Sequence, residues 1–247
     1  MTTILQTSIP YDPLSPRPLP GIQPTSMDNW LHRDDAFAAQ MQRREALLAE
    51  RRADVLALDP GAEAAAQEVL NLVLSHAYPG SVDRVIRADG QEVLINRAHP
   101  MDTLCRLVQE DICILQKRGD EHVLTGAILC FPASWSLSEK FMRPLVDIHV
   151  PVASYDVNIA RRVQRLFDGI QPGRPLWRFN ALWYEDAELH QPRSTREPRD
   201  IKDPGETRYL RSERQTLLRL PETQAVIFSI HTYVLEAEQV HKMENPA

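Results

Sequence analysis

The stretch YLRSERQTLLRLPETQAVIFSIHTYV, residues 209–234, decides the fold. Residues 209–220 and 225–234 are rich in leucine, β-branched and aromatic side chains, and Pro221-Glu222-Thr223 between them carries turn chemistry, so the pair reads as a long antiparallel hairpin. Charges interrupt its first arm. A period of two puts Arg211, Glu213, Gln215 and Arg219 on one face, expected to meet solvent, and Arg214 with Thr216 and Leu218 on the other, turned inward. A desolvated guanidinium requires an anionic partner, so Arg214 is expected to meet a buried acid, a cofactor carboxylate or a polarised oxygen ligand.

Outward from the hairpin, residues 123–131 and 176–184 have the same strand composition. Residues 112–115 add a short strand, joined to Val123 by the charged turn at Gly119-Asp120, which makes four or five antiparallel strands. Arg178 and Asn180 alternate with Phe179 and share one face, expected to be solvated. Upstream, Phe37, Met41, Leu47, Leu48, Val55 and Leu58 recur at three- and four-residue steps, which predicts an amphipathic helix over 34–58 that Pro60-Gly61 stops. A second helix is expected over 62–75. A third is expected over 157–170, with Asp156 as its cap and Ile159, Val163, Leu166, Phe167 and Ile170 as its stripe. Residues 1–27 hold six prolines and read as an extended arm along the surface, leaving 28–247 as one domain. Residues 190–207, with three prolines and many charges, read as a loop and a candidate flap. Helices first and antiparallel strands later point to an α+β domain.

Composition narrows the function. The chain has 247 residues, 43% of them hydrophobic and 25% charged, and a net charge of −6, so it lacks the positive field that collects nucleic acid. No apolar run approaches the roughly 18 residues of a membrane span, and no leader pattern opens the chain. Cys105, Cys113 and Cys130 are unpaired in number and read as reduced core thiols, so a soluble cytoplasmic protein is expected. There is no Walker loop, dinucleotide fingerprint, nucleophile elbow or His-Glu-x-x-His pair, and the eight histidines do not cluster at metal-ligand spacing. His149 stands out inside Val146-Asp147-Ile148-His149-Val150-Pro151-Val152, an apolar run expected to be buried. A buried imidazole needs a partner, either a backbone carbonyl or a metal ion in a dry pocket. His231, in the last strand, reads as a core histidine. Cys130-Phe131-Pro132-Ala133-Ser134-Trp135 turns the chain after a strand and brings Trp135 to the sheet edge, where core packing accounts for it.

Six ordered fragments carry a resemblance. They are Trp30-Leu31 with Asp34; Leu107-Val108-Gln109-Glu110-Asp111; Cys130 to Trp135 with Lys140; Ile148-His149-Val150-Pro151; Arg178 with Asn180; and Glu213 to Pro221 followed by Phe228-Ser229-Ile230-His231-Thr232-Tyr233. Together they resemble the haem-binding α subunit of haem-dependent oxidative N-demethylases. The resemblance implies a PAS-like antiparallel five-stranded sheet flanked by helices, with an N-terminal helical segment. It also implies haem b and oxidation of an N-methyl group of a small secondary amine such as dimethylamine by O2, with release of formaldehyde. NADPH, flavin mononucleotide, an iron–sulfur cluster and tetrahydrofolate would then belong to partner subunits, a reductase and a folate-binding protein. On this reading His149 is the axial iron ligand, with the Cys130 thiolate as its competitor. Arg214 lies on the oxygen side, Arg178 and Arg219 meet the propionates, and Glu213, Tyr155 and Trp135 are candidates around the amine and cofactor. The rival reading is a haem-PAS gas sensor or a non-catalytic haem-binding module. A sensor normally carries an output element, and no kinase set, DNA-reading motif or coiled-coil run follows Val234.

Overall fold

The computed structural model describes residues 3–16, 21–133, 135–149, 157–194, 197 and 207–244, with the side chains of 146, 149, 157–161 and 241–244 outside that description. In chain order the elements are β1 (Gln23–Pro24), α1 (Phe37–Glu50), α2 (Arg52–Val55), β2 (Leu56–Leu58), α3 (Glu63–Ala77), β3 (Arg84–Ile86), β4 (Glu92–Leu94) and α4 (Pro100–Leu107). There follow β5 (Asp111–Arg118), β6 (Glu121–Ile128), α5 (Leu137–Lys140), α6 (Leu145–His149), α7 (Val157–Gly169), β7 (Leu176–Tyr184), β8 (Tyr209–Arg219), β9 (Val226–Glu236) and α8 (Ala237–Glu244). The fold is α+β. One antiparallel sheet of seven strands runs in the order β1-β7-β8-β9-β5-β6-β2, and β3-β4 form a separate small hairpin.

The expected hairpin is β8-β9, paired in unbroken register from Tyr209↔Glu236 to Arg219↔Val226. Its turn is held from outside, because the Glu68 carboxylate on α3 accepts from Glu222 N (2.7 Å), Thr223 N (2.8 Å) and Thr223 Oγ1 (2.5 Å). The expected short strand at 112–115 extends to Arg118, and Gly119, at φ 62°, supplies the left-handed turn into β6. The single helix expected over 34–58 is instead three pieces. Arg51 leaves helical geometry (φ −134°, ψ 38°), and Leu56–Leu58 become an edge strand on β6. Helical spacing of those leucines loses to sheet pairing because Gly126 leaves room: a Cβ there would stand 2.7 Å from Leu58 Cδ1.

Both sides of the sheet are covered. On one side, α1, α3 and α4 pack Leu47, Val69, Leu70, Leu104 and Leu107 with Ile112, Ile114, Ile128, Leu218 and Ile227. The N-terminal arm covers this side too: Gln6 N donates to Val234 O, Val234 N donates to Gln6 Oε1, and the Tyr11 ring stacks 4.6 Å from Phe179. The described part of the arm, residues 3–16, runs along the surface and is anchored there by the buried Gln6, Ile9 and Pro13. On the other side, the connector α5–α7 packs Leu137, Leu145, Phe167 and Ile170 with Cys113, Leu115, Leu217, Val226 and Ile230. Double coverage corrects the expectation that the odd face of β8 meets solvent: Arg211 is 2% exposed and Glu213 7%. The run 146–152 is not uniformly apolar-buried either, because Asp147, on the helical turn α6, is exposed. No helix among the described residues is long and apolar enough to cross a membrane.

Candidate functional site

The connector side of the sheet carries a polar strip in an apolar setting. Register places Arg178 beside Gln215 and Asn180 beside Glu213 across β7-β8, and Glu213 beside Thr232 across β8-β9, so these side chains share the face under α5–α7. Glu213 is held on both oxygens. Its Oε2 accepts from Asn180 Nδ2 (3.0 Å) and Gln215 Nε2 (3.3 Å), while Oε1 faces Arg211 Nη2 at 3.6 Å. Arg211 in turn donates to Leu189 O (2.9 Å) and Phe131 O (2.6 Å), which ties the strip to the chain leaving β6. Ala133, Asn180, Leu182, Tyr184, Arg211 and Glu213 line a small cleft of about 30 Å³. It has room for water and is far smaller than the roughly 300–1,000 Å³ of a pocket that encloses a whole drug-sized ligand.

Among the described residues, three buried polar atoms on this strip have no hydrogen-bond partner: Arg178 Nε, Arg211 Nε and Thr232 Oγ1. Buried donors without acceptors are rare in folded proteins, and several on one face mark a place where something else completes them. The Arg178 guanidinium has its pKa lowered by burial, with Glu213 opposing. Lys140, at the end of α5, stands over the Trp135 ring at 4.7 Å. Burial brings its ammonium down to about 8 against the pull of Cys113, Glu139 and Glu213.

The structure separates residues that the sequence reading grouped. Arg178, Glu213 and Trp135 lie on the connector side, and α6, whose last residue is His149, packs there through Leu145 and Ile148. The His149 side chain, Tyr155 and Asp156 lie outside the described residues. Arg214 is on the opposite, arm side, with its Nη1 on Thr216 Oγ1 (2.7 Å) and its guanidinium 4.9 Å from the Trp177 ring. It does not share a pocket with α6, because adjacent residues of a strand point to opposite faces. Arg219 caps α7: its three nitrogens donate to Ile170 O (2.7 Å), Phe167 O (2.6 Å) and Gln224 O (2.7 Å). Two of those bonds satisfy carbonyls at the end of α7 and the third ties Arg219 to the turn before β9. Cys130 is buried among the helices of the arm side, 3.7 Å from Cys105 Sγ, and burial pushes its thiol up.

The arm side holds a second titratable group that sequence reasoning missed. His231 donates through both ring nitrogens, Nδ1 to Glu110 Oε1 (3.0 Å) and Nε2 to Asp34 Oδ2 (2.9 Å). His32 Nδ1 meets Tyr233 Oη at 2.8 Å. Asp34, Glu110 and His231 are far apart in sequence, so no local spacing announces them. Among the described residues no group of three or more His, Cys, Asp or Glu side chains is placed to hold a metal ion.

Residues 21–247 match the model of the family described as haem-dependent oxidative N-demethylase, alpha subunit-like. The chain belongs to that family. Haem dependence and an oxidoreductase ancestry come with the family's name, and so does an α-like subunit's expectation of partner subunits. Haem asks a protein for an axial donor, an apolar slot and cations for its carboxylates. In this N-demethylase-like chain the connector side meets two of these on described atoms: the apolar cluster around Trp135, Leu145 and Ile148, and the Arg178 guanidinium with its unsatisfied buried Nε. On these two counts the described residues fit the group.

Proposed function

We propose that the chain is the haem-carrying subunit of an oxygenase that removes an N-methyl group from a small secondary amine of the dimethylamine kind. Haem would be held on the connector side by His149 at the iron, by Arg178 at a carboxylate and by Trp135. Bound there, haem iron would supply O2 activation and oxidation of the N-methyl carbon. By mass balance, one O2 and two electrons from NADPH yield formaldehyde, the amine shortened by one methyl and one water. The electrons would arrive through reductase partners with flavin mononucleotide and an iron–sulfur cluster, and a tetrahydrofolate-binding partner would take the formaldehyde.

The chain's own residues have definite tasks in this reading. Glu213, fixed by Asn180 and Gln215, offers a rigid carboxylate to a protonated amine. The apolar cluster of the connector side keeps water from the reacting centre and strengthens that charge contact. Thr232 Oγ1, without a partner among the described residues, could donate or accept a hydrogen bond beside Glu213. The long strands run second, first, fifth, fourth, third across the sheet, with β1 and β2 as short edges, which supports a PAS-like sheet with its ligand under the connector. The observation that carries the reading is the orphaned Arg178 Nε on this face of a family member named for haem.

The test is spectroscopic and catalytic. Full-length protein supplied with haem should show a Soret band, and with NADPH, a reductase and dimethylamine it should release formaldehyde. His149→Ala should lose or shift the Soret band and lose turnover. An unchanged spectrum in that variant removes His149 as ligand; haem binding with no formaldehyde from any small methylamine leaves only a haem-binding module.

A further inference from the structure

Arg178 was singled out above for one propionate, and haem has two. Three cations stand on the connector side around Glu213: Arg178, Arg211 and Lys140. Only Arg211 is compensated, by two carbonyls and the Glu213 carboxylate at 3.6 Å. Glu213 acts on both Arg178 and Lys140, and Glu139 on Lys140, but neither carboxylate makes an ion pair with them among the described residues. Among the described residues Arg178 Nε has no partner and Lys140 Nζ no carboxylate within contact, in a place where burial makes an unpaired charge costly.

Lys140 is acted on by Glu139 and Glu213 only from a distance. Its ammonium rests over Trp135, and no hydrogen bond or ion pair ends on Nζ among the described residues. A cation–π contact holds an ammonium weakly compared with a carboxylate. The single turn α5 points this lysine back to the sheet, where Cys113 on β5 and Glu213 on β8 both act on it.

We propose that Lys140 and Arg178 form a two-point carboxylate clamp, taking the two carboxylates of one flat apolar dicarboxylate that lies against Trp135. The inference rests on the haem reading, in which the two carboxylates are the propionates, and it assigns the second of them to Lys140 in place of Arg219. The depressed ammonium of Lys140 agrees with a site built to be completed by an anion.

Metal-free protoporphyrin and its dimethyl ester separate this clamp from iron ligation, because neither engages an axial histidine. Binding to the full-length apoprotein, followed by porphyrin absorbance and tryptophan quenching, should favour the diacid over the diester by at least about tenfold, the effect of one charge-assisted hydrogen bond. Lys140→Gln and Arg178→Gln should each lower diacid affinity about tenfold and leave the diester unchanged. Lys140→Arg, which keeps the charge, should retain the preference, and circular dichroism should report a native fold for each variant. Equal affinity for diacid and diester, or variants that keep the full preference, would overturn the clamp. If haem still gives a Soret band in that case, the clamp alone falls. If no porphyrin binds with or without iron, the haem reading falls with it.

Discussion

His231 carries a charge that burial alone would remove. Desolvation works against the imidazolium, but the Asp34 and Glu110 carboxylates on its two nitrogens outweigh it and raise the pKa to about 9. Both acids are held below their ordinary values by the same contacts, against desolvation. The sign follows from linkage: a histidine raised above its ordinary 6.5 stabilises the fold fully below that pH, and the contribution is lost as pH climbs through about 9. The loss is on the order of 3 kcal/mol. Urea unfolding from pH 6.5 to 9 should show this loss in the wild type and not in His231→Gln; equal slopes in the two proteins would refute it. His32 behaves oppositely. Burial, then Arg214 and His231, bring it down to about 4, so its neutral form stabilises above 6.5 and the contribution fades as pH falls toward 4. None of this is legible in the sequence, where His231 reads as a core histidine, because both acids arrive from distant segments.

At the scale of elements, the β8-β9 hairpin was legible because its signals are local: strand composition, period two and a proline at the turn. What holds it is not local. Glu68 reaches from α3 to three donors of the turn, so Glu68→Ala should cost about 1–3 kcal/mol in chemical denaturation, with the orphaned amides of Glu222 and Thr223 as the cause. A loss below about 0.5 kcal/mol would show that water replaces the carboxylate. Helices α3 and α7 were legible for the same reason as the hairpin. Strand β2 was not, because Leu56 and Leu58 continue a helical spacing and only the groove at Gly126 makes them a strand. Arg219, a candidate for a propionate from sequence, shows a second task in three dimensions that no local signal announces, donating to carbonyls at the end of α7.

For the whole molecule, the deciding fact is that helices cover both sides of the sheet. Period two correctly put Arg178 and Asn180 on one face, and Glu213 apart from Arg214, but which face meets solvent depends on what packs over it. The α+β class followed from element order; the seven-strand width did not, since β1 and β2 are two and three residues long. The layers are joined at Arg44 and Asp111, a fully buried ion pair at 2.6 Å whose cation also donates to Cys105 O, Gln109 O and Glu110 O. Arg44→Met should therefore destabilise the protein by about 3–5 kcal/mol, read as a lowered urea midpoint, because it leaves Asp111 buried without its counter-charge. Adding Asp111→Leu should recover part of the loss, and a single variant as stable as wild type would refute the claim.

The three thiols divide between the two layers. Cys113 lies in the connector-side core, while Cys105 and Cys130 lie under the arm-side helices, all free and buried. An alkylating reagent can reach each one only when its own layer opens, so the labelling rates are two separate clocks on local breathing. A porphyrin that settles under α5–α7 should slow the first clock and leave the other running at its old pace.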